Sequence, residues 1–180
     1  MNVLDIAENS VRAGASLVEI EIVVDTKKDR LAIRVKDDGC GMSEEQAKRV
    51  CDPFFTTRTT RKVGLGVPFF KQAAESAGGS FLLTSREGEG TEIEAVFQLS
   101  HIDRMPLGDI NATIHTLAVF HEETDFFYKY SYNGRCFIFD TRKIRGILGE
   151  ISFREPEVSE FIKGYLSEQK SETDGGDAGL

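Results

Sequence analysis

Residues 35–42 read VKDDGCGM, two adjacent aspartates followed by two glycines that flank a cysteine. The preceding residues alternate, with Leu31, Ile33 and Val35 on one side of a strand. A period of two puts Asp37 next on that inward row and turns Asp38 outward. A carboxylate on an apolar row is costly unless donors reach it. Two readings of Asp37 follow from the pattern. Either the strand stops at Lys36 and Asp37 opens a turn, or Asp37 accepts a hydrogen bond from a buried ligand while Gly39 and Gly41 let backbone come close to it.

Upstream, residues 2–14 read as a helix. Val3, Leu4, Ala7, Val11 and Gly14 make an apolar or small stripe, and Asp5, Asn9 and Arg12 share another face. LVEIEIVVD (17–25) alternates as a strand with Val18, Ile20, Ile22 and Val24 on one side. Downstream, Ser43 and Gln46 have the capping-box spacing of a helix start, and Pro53 lies just beyond the expected helix end. A glycine-bearing loop leads into VPFFKQAAESAGG (67–79), a helix with proline in its first turn and glycines at its end. Strands are predicted around 80–86 and 91–99.

The remainder reads as an appendage. TIHTLAVFH (113–121) looks like a strand, and FFYKYSYNGRCFIFD (126–140) is a hairpin turning at Asn133-Gly134. A short helix is predicted over 141–149. Val158, Phe161, Ile162, Tyr165 and Leu166 mark an amphipathic helix. The tail from 168 to 180 carries little to bury and is expected to be disordered. Phe126, Tyr128, Tyr130 and Tyr132 read either as an internal packing face or as a docking surface for a protein partner.

The 180 residues suffice for one well-cored domain plus a smaller extension. A net charge of −8 argues against nucleic acid as a general partner. Residues 53–74 run against that balance, with Arg58, Arg61, Lys62 and Lys71 and no acid. No apolar run reaches membrane-spanning length and no targeting segment is visible, so a cytoplasmic location is expected. The three cysteines lack CxxC spacing, which suggests neither a disulfide framework nor a zinc site.

Several elements suit nucleotide chemistry. The side-chain oxygen of Asn9 is a good Mg²⁺ ligand, and Arg12, one turn on, can meet phosphate. VGLGV (63–67) opens a helix, where backbone N–H groups converge on phosphate oxygens. GEGTEIEAVF (88–97) places Thr91 at the head of a strand. Each alone also fits an ordinary polar stripe, helix entry or hairpin.

In combination and order, these stretches resemble the GHKL ATP-binding family of gyrase B, Hsp90, histidine kinases and MutL. DIAENSVRAGAS is similar to the N box, DDGCGM to the G1 box, DPFFTTR to the F box and GLGVPFFKQAAESAGG to the G2 box. The resemblance covers about residues 3–99. It implies an α+β fold of the Bergerat type, a two-layer sandwich whose mixed sheet is covered by helices on one face, with a small α+β C-terminal extension. The implied organisation is 1–100 as a histidine-kinase-like ATP-binding domain, 101–167 as the extension and 168–180 as the tail. The implied cofactors are ATP and Mg²⁺. Asn9 would hold the metal, Asp37 would accept from the adenine amino group, and Gly39 and Gly41 would shape the adenine pocket. Arg12, Thr57, Arg58, Gly64, Leu65 and Gly66 would flank the phosphates, and Thr91 would help hold adenine.

The subfamily features are mixed. The N and G1 boxes resemble MutL, while the F box, short lid and G2 helix resemble histidine kinases. Family members that hydrolyse ATP carry a glutamate base four residues before the asparagine. Here that position is Asp5, one methylene shorter, a candidate general base. The helical hairpin with a phosphoacceptor histidine that a histidine kinase carries before this domain is not seen, nor are the strand and helix that usually precede the N box. His101, His115 and His121 read as ordinary strand or loop residues. The implied function is a stand-alone Mg-ATP-binding subunit acting within or regulating a larger assembly. The alternatives are a kinase acting in trans on a partner histidine or serine, and a non-enzymatic nucleotide-sensing module.

Overall fold

A computed structural model describes residues 3–52 and 66–176. In chain order these form α1 (Val3–Arg12), β1 (Leu17–Asp25), β2 (Arg30–Asp37), α2 (Glu44–Val50), α3 (Gly66–Ser76), β3 (Ser80–Arg86), β4 (Gly90–Gln98), α4 (Ile110–Phe120), β5 (Asp125–Tyr132), β6 (Arg135–Asp140), α5 (Thr141–Leu148) and α6 (Pro156–Asp174). The strands make one sheet in the order β3-β4-β2-β1-β5-β6. β1 pairs in parallel with β5, and the other neighbours are antiparallel. The sheet is therefore mixed, and the fold is the expected α+β sandwich.

Alternation decides which face is covered. Val18, Ile20, Ile22 and Val24 of β1 are buried, as are Leu31, Ile33, Val35 and Asp37 of β2 and Ile93, Ala95 and Phe97 of β4. α1, α3, α4 and α6 supply the opposing layer through Ile6, Ala7, Phe70, Ile114, Leu117, Ile162 and Leu166. The opposite side of the sheet carries charge instead. Arg34 lies 2.7 Å from Glu92 and 3.0 Å from Glu21 there.

The C-terminal segment continues this sheet. Phe126, Tyr128 and Tyr130 of β5 are buried, so the aromatic hairpin packs inward; Tyr132 is half-buried at its end. Asn133 and Gly134 both take positive φ (50° and 86°), the paired left-handed turn expected of Asn-Gly. Ser43 and Gln46 form the full capping box of α2.

Three expectations need correction. Residues 113–121 are not a strand but belong to α4 and its cap. Asp109 caps that helix by accepting from the Ala112 amide at 2.9 Å, and Ile110, Ile114, Leu117 and Ala118 repeat at helical spacing on its buried side. β-branched content mimics a strand there, and packing overrides it. The expected disorder from 168 onward is replaced by helix as far as Asp174. The Asp174 carboxylate is enclosed, accepting from the Tyr130 hydroxyl at 3.0 Å and from Lys170 at 2.5 Å. Finally, the buried stripe of α1 is Val3, Ile6, Ala7 and Ser10, with Leu4 and Val11 half-buried beside it.

Candidate functional site

The site is built around the end of β2. Asp37 is 7% exposed and lies opposite Thr91 of β4 in the sheet register. Three donors hold its carboxylate. The Ser10 hydroxyl, from the adjoining face of α1, reaches Oδ2 at 2.6 Å. The backbone amides of Gly39 and Thr91 reach Oδ1 at 3.0 and 3.2 Å. An ionised carboxylate offers about four acceptor positions, so the described residues leave one unfilled. Asp37 thus continues the strand's inward row, and the turn reading fails.

The loop after Asp37 is stitched down on both sides. The Cys40 amide donates to the Ala13 carbonyl at 2.9 Å, and the Gly88 amide donates to the Cys40 carbonyl at 2.8 Å. Gly41 has φ 63°, and a Cβ there would lie 1.8 Å from the Arg86 carbonyl oxygen. Its permissiveness thus serves a backbone-on-backbone approach between this loop and the β3–β4 turn. Gly90 does the same on the other side, where a Cβ would sit 1.9 Å from the Asp37 carbonyl oxygen. Ser85 ties the two together. Its hydroxyl accepts from the Met42 amide at 2.9 Å and lies 2.9 Å from the Thr91 hydroxyl.

Asp38 is more than a solvent neighbour. Although exposed, it accepts from the Ser16 and Leu17 amides at 2.8 and 2.9 Å and from the Ser16 hydroxyl. Partial burial alone would raise its pKa, but the Ser16 hydroxyl and these amides together hold it below the usual carboxylate range. The two aspartates divide the work: one presents an acceptor, the other pins the α1–β1 turn behind it.

The polar face of α1 forms the second part of the site. Asn9 is half-buried, and its side chain makes no hydrogen bond to any described residue. Its neighbour in sequence, Ser10, is the one bonded to Asp37. Arg12 is exposed and loosely paired with Glu8, at 3.9 Å. Asp5 is exposed one turn before Asn9 and lies against the start of α3, where a Cβ on Gly66 would come within 2.9 Å of the Asp5 Cβ. Asp5 and Gly66 also form one wall of a cavity of about 450 Å³ lined by Phe69, Phe70 and Met105. Helix start, asparagine, arginine and buried aspartate are thus carried on α1, α3 and β2.

Comparison with known proteins gives the family of the chain. A family model described as "Histidine kinase-, DNA gyrase B-, and HSP90-like ATPase" matches residues 2–101. The chain belongs to that family. Similar proteins include one named as a sensor protein from Shewanella frigidimarina, 35% identical over 85 residues, which are 46% of this chain and 13% of that protein. The "Probable C4-dicarboxylate sensor kinase" of Bacillus subtilis is 32% identical over 80 residues, 44% of this chain and 15% of that kinase. "Sporulation kinase E" of the same species is 39% identical over 64 residues, 36% of this chain and 8% of its own length. The match therefore spans a small part of each relative.

As a histidine-kinase-like member of this ATPase family, the chain carries an ATP-binding domain. Of the residues expected at its site, Asp5, Asn9, Arg12, Asp37, Gly39, Gly41, Gly66 and Thr91 are described. Thr57, Arg58, Gly64 and Leu65 lie outside the described residues. Sequence reading missed Ser10 and Ser85. Both are polar residues on apolar rows, after Val3, Ile6 and Ala7 in one case and after Phe81 and Leu83 in the other, and that mismatch was the available signal. The three histidines are all engaged. His115 lies in α4 with Nε2 2.9 Å from the Ser159 hydroxyl, His121 meets Glu8, and His101 lies 3.9 Å from Asp103.

Proposed function

We propose that this chain binds Mg-ATP and serves as the nucleotide-dependent part of a larger assembly. The observation that carries the reading is the buried Asp37 carboxylate, held by three donors with one acceptor position left. Adenine presents a matching amino group. Asn9 would complete the shell of a Mg²⁺ held chiefly by phosphate oxygens, a role that suits its uncommitted side chain. Bound metal would supply neutralisation of the phosphate charge. Arg12 would meet the phosphates from the next turn of α1, and Gly66 would bring the amides of the α3 start toward them. Asp5 would take a proton from an attacking water or hydroxyl.

The test is calorimetric titration with Mg-ATP. Saturable binding at or below millimolar concentration, lost in an Asp37→Asn variant, supports the reading; no binding removes it. A second reading, phosphoryl transfer to a partner, draws on the resemblance to sensor kinases and on the exposed Asp5 carboxylate. Incubation with γ-labelled ATP and native extract should then label a discrete protein, and release of free phosphate alone would count against transfer.

A further inference from the structure

A contact between the family domain and the segment beyond it bears on the phosphate end of the site. His121 follows α4, outside the matched residues 2–101. Its Nε2 lies 2.7 Å from Oε1 of Glu8, the residue before Asn9. An ionised carboxylate only accepts, so Nε2 carries the hydrogen. The other Glu8 oxygen lies 3.9 Å from the Arg12 guanidinium, and the Arg12 side chain is 65% exposed. Glu8 is thus shared unequally, tightly with His121 and loosely with Arg12.

The backbone that carries His121 is held in place by the same segment. The His121 amide donates to the Leu117 carbonyl, and the Thr124 amide donates to the His121 carbonyl. Arg154 donates to the carbonyls of Val119 and Phe120 at 3.3 and 3.1 Å. Glu122, next in sequence, is occupied by the Ser152 hydroxyl and the Phe153 amide. The main chain at His121 is thereby anchored beside α1, and the ring reaches Glu8 from it.

We propose that His121 is a positioning residue for triphosphate binding, holding the Glu8 carboxylate so that Arg12 stays available to phosphate. This rests on the Mg-ATP reading above. Without the imidazole, Glu8 closes on Arg12 as an ordinary i,i+4 ion pair and offsets part of its attraction for phosphate. The segment after residue 101 then tunes nucleotide affinity through one hydrogen bond.

The experiment compares ATP and adenosine binding, by displacement of a fluorescent ATP analogue, in the full chain and its variants. His121→Ala should weaken ATP about three- to fivefold, the scale of an exposed ion pair, and leave adenosine unchanged. His121→Gln, which keeps an amide donor, should recover much of the loss. Glu8→Gln should make the chain indifferent to His121→Ala, and so should Arg12→Ala, although the latter weakens ATP by itself. Equal loss of ATP and adenosine, or a His121→Ala loss that persists in the Arg12→Ala background, would mean that His121 only supports the fold, and would overturn the proposal. A thermal melt of each variant checks folding. Wild-type protein that binds no ATP would bring down the function reading and this inference together; normal wild-type binding with an indifferent His121→Ala would bring down this inference alone.

Discussion

The two ends of the site are organised in opposite ways. Around Asp37 the chain is closed on itself: α1, β2, β4 and the β3–β4 turn meet through Ser10, Gly39, Thr91 and Ser85, and the carboxylate is buried. Along the polar face of α1, by contrast, Asp5 and Arg12 are exposed and Asn9 makes no hydrogen bond to a described residue. The first end is fixed before any ligand arrives, so little ordering entropy opposes binding there. In the proposed reading, the second end is left for metal and phosphate to organise. In that reading, base recognition belongs to the fold, and phosphate recognition belongs to the exposed polar face of α1 beside it.

That contrast can be broken from either side. The largest effect should come from Asp37→Asn, which removes the anionic acceptor. A charge-assisted hydrogen bond contributes about 1.5–3 kcal/mol, so ATP affinity should fall roughly ten- to a hundredfold while the circular dichroism spectrum is kept. Asn9→Ala should cost about tenfold in ATP affinity, some 1.4 kcal/mol, with Mg²⁺ present, and nearly nothing in EDTA. Equal losses in both conditions would mean that Asn9 acts without the metal. Ser10→Ala leaves a buried carboxylate oxygen short of a donor. It should lower unfolding stability by about 1–3 kcal/mol in urea titrations and weaken ATP severalfold. If stability drops but affinity holds, Ser10 serves the fold alone.

The smallest effect concerns Asp38, whose pKa is held down by the Ser16 hydroxyl and the Leu17 and Ser16 amides against partial burial. A carboxylate with a depressed folded pKa adds stability above its unfolded value, about 3.9, and loses it as pH falls through the folded value. Asp174 behaves likewise: burial would raise it, but Lys170, the Gly176 amide and the Tyr130 hydroxyl lower it. Acid unfolding should therefore steepen below about pH 4. Asp38→Asn should flatten that limb without changing ATP affinity at neutral pH.

Much of this was legible in the sequence, for physical reasons. Alternation located β1, β2 and β4 and put Asp37 next on an inward row, while leaving open whether the strand ended at Lys36. The Ser43 capping box and the Asn133-Gly134 turn were readable because both are local. Misreadings arose where distant partners decide. The α4 segment carries strand-like residues, and only its Asp109 cap and its packing against the core make it helical. The end of α6 looks too polar to be ordered until Tyr130 is brought to Asp174. Asp38 looks like a surface charge until the α1–β1 turn presents three donors to it.

Asp37 is proposed to read an amino group on the base, and discrimination between ATP and GTP tests that role. Guanine carries a carbonyl oxygen where adenine carries its amino group, and a carboxylate cannot donate to it. ATP should bind at least about a hundredfold tighter than GTP in the wild-type chain, with the gap narrowed sharply in Asp37→Asn. Comparable affinities for the two nucleotides, or a gap untouched by that substitution, would contradict it.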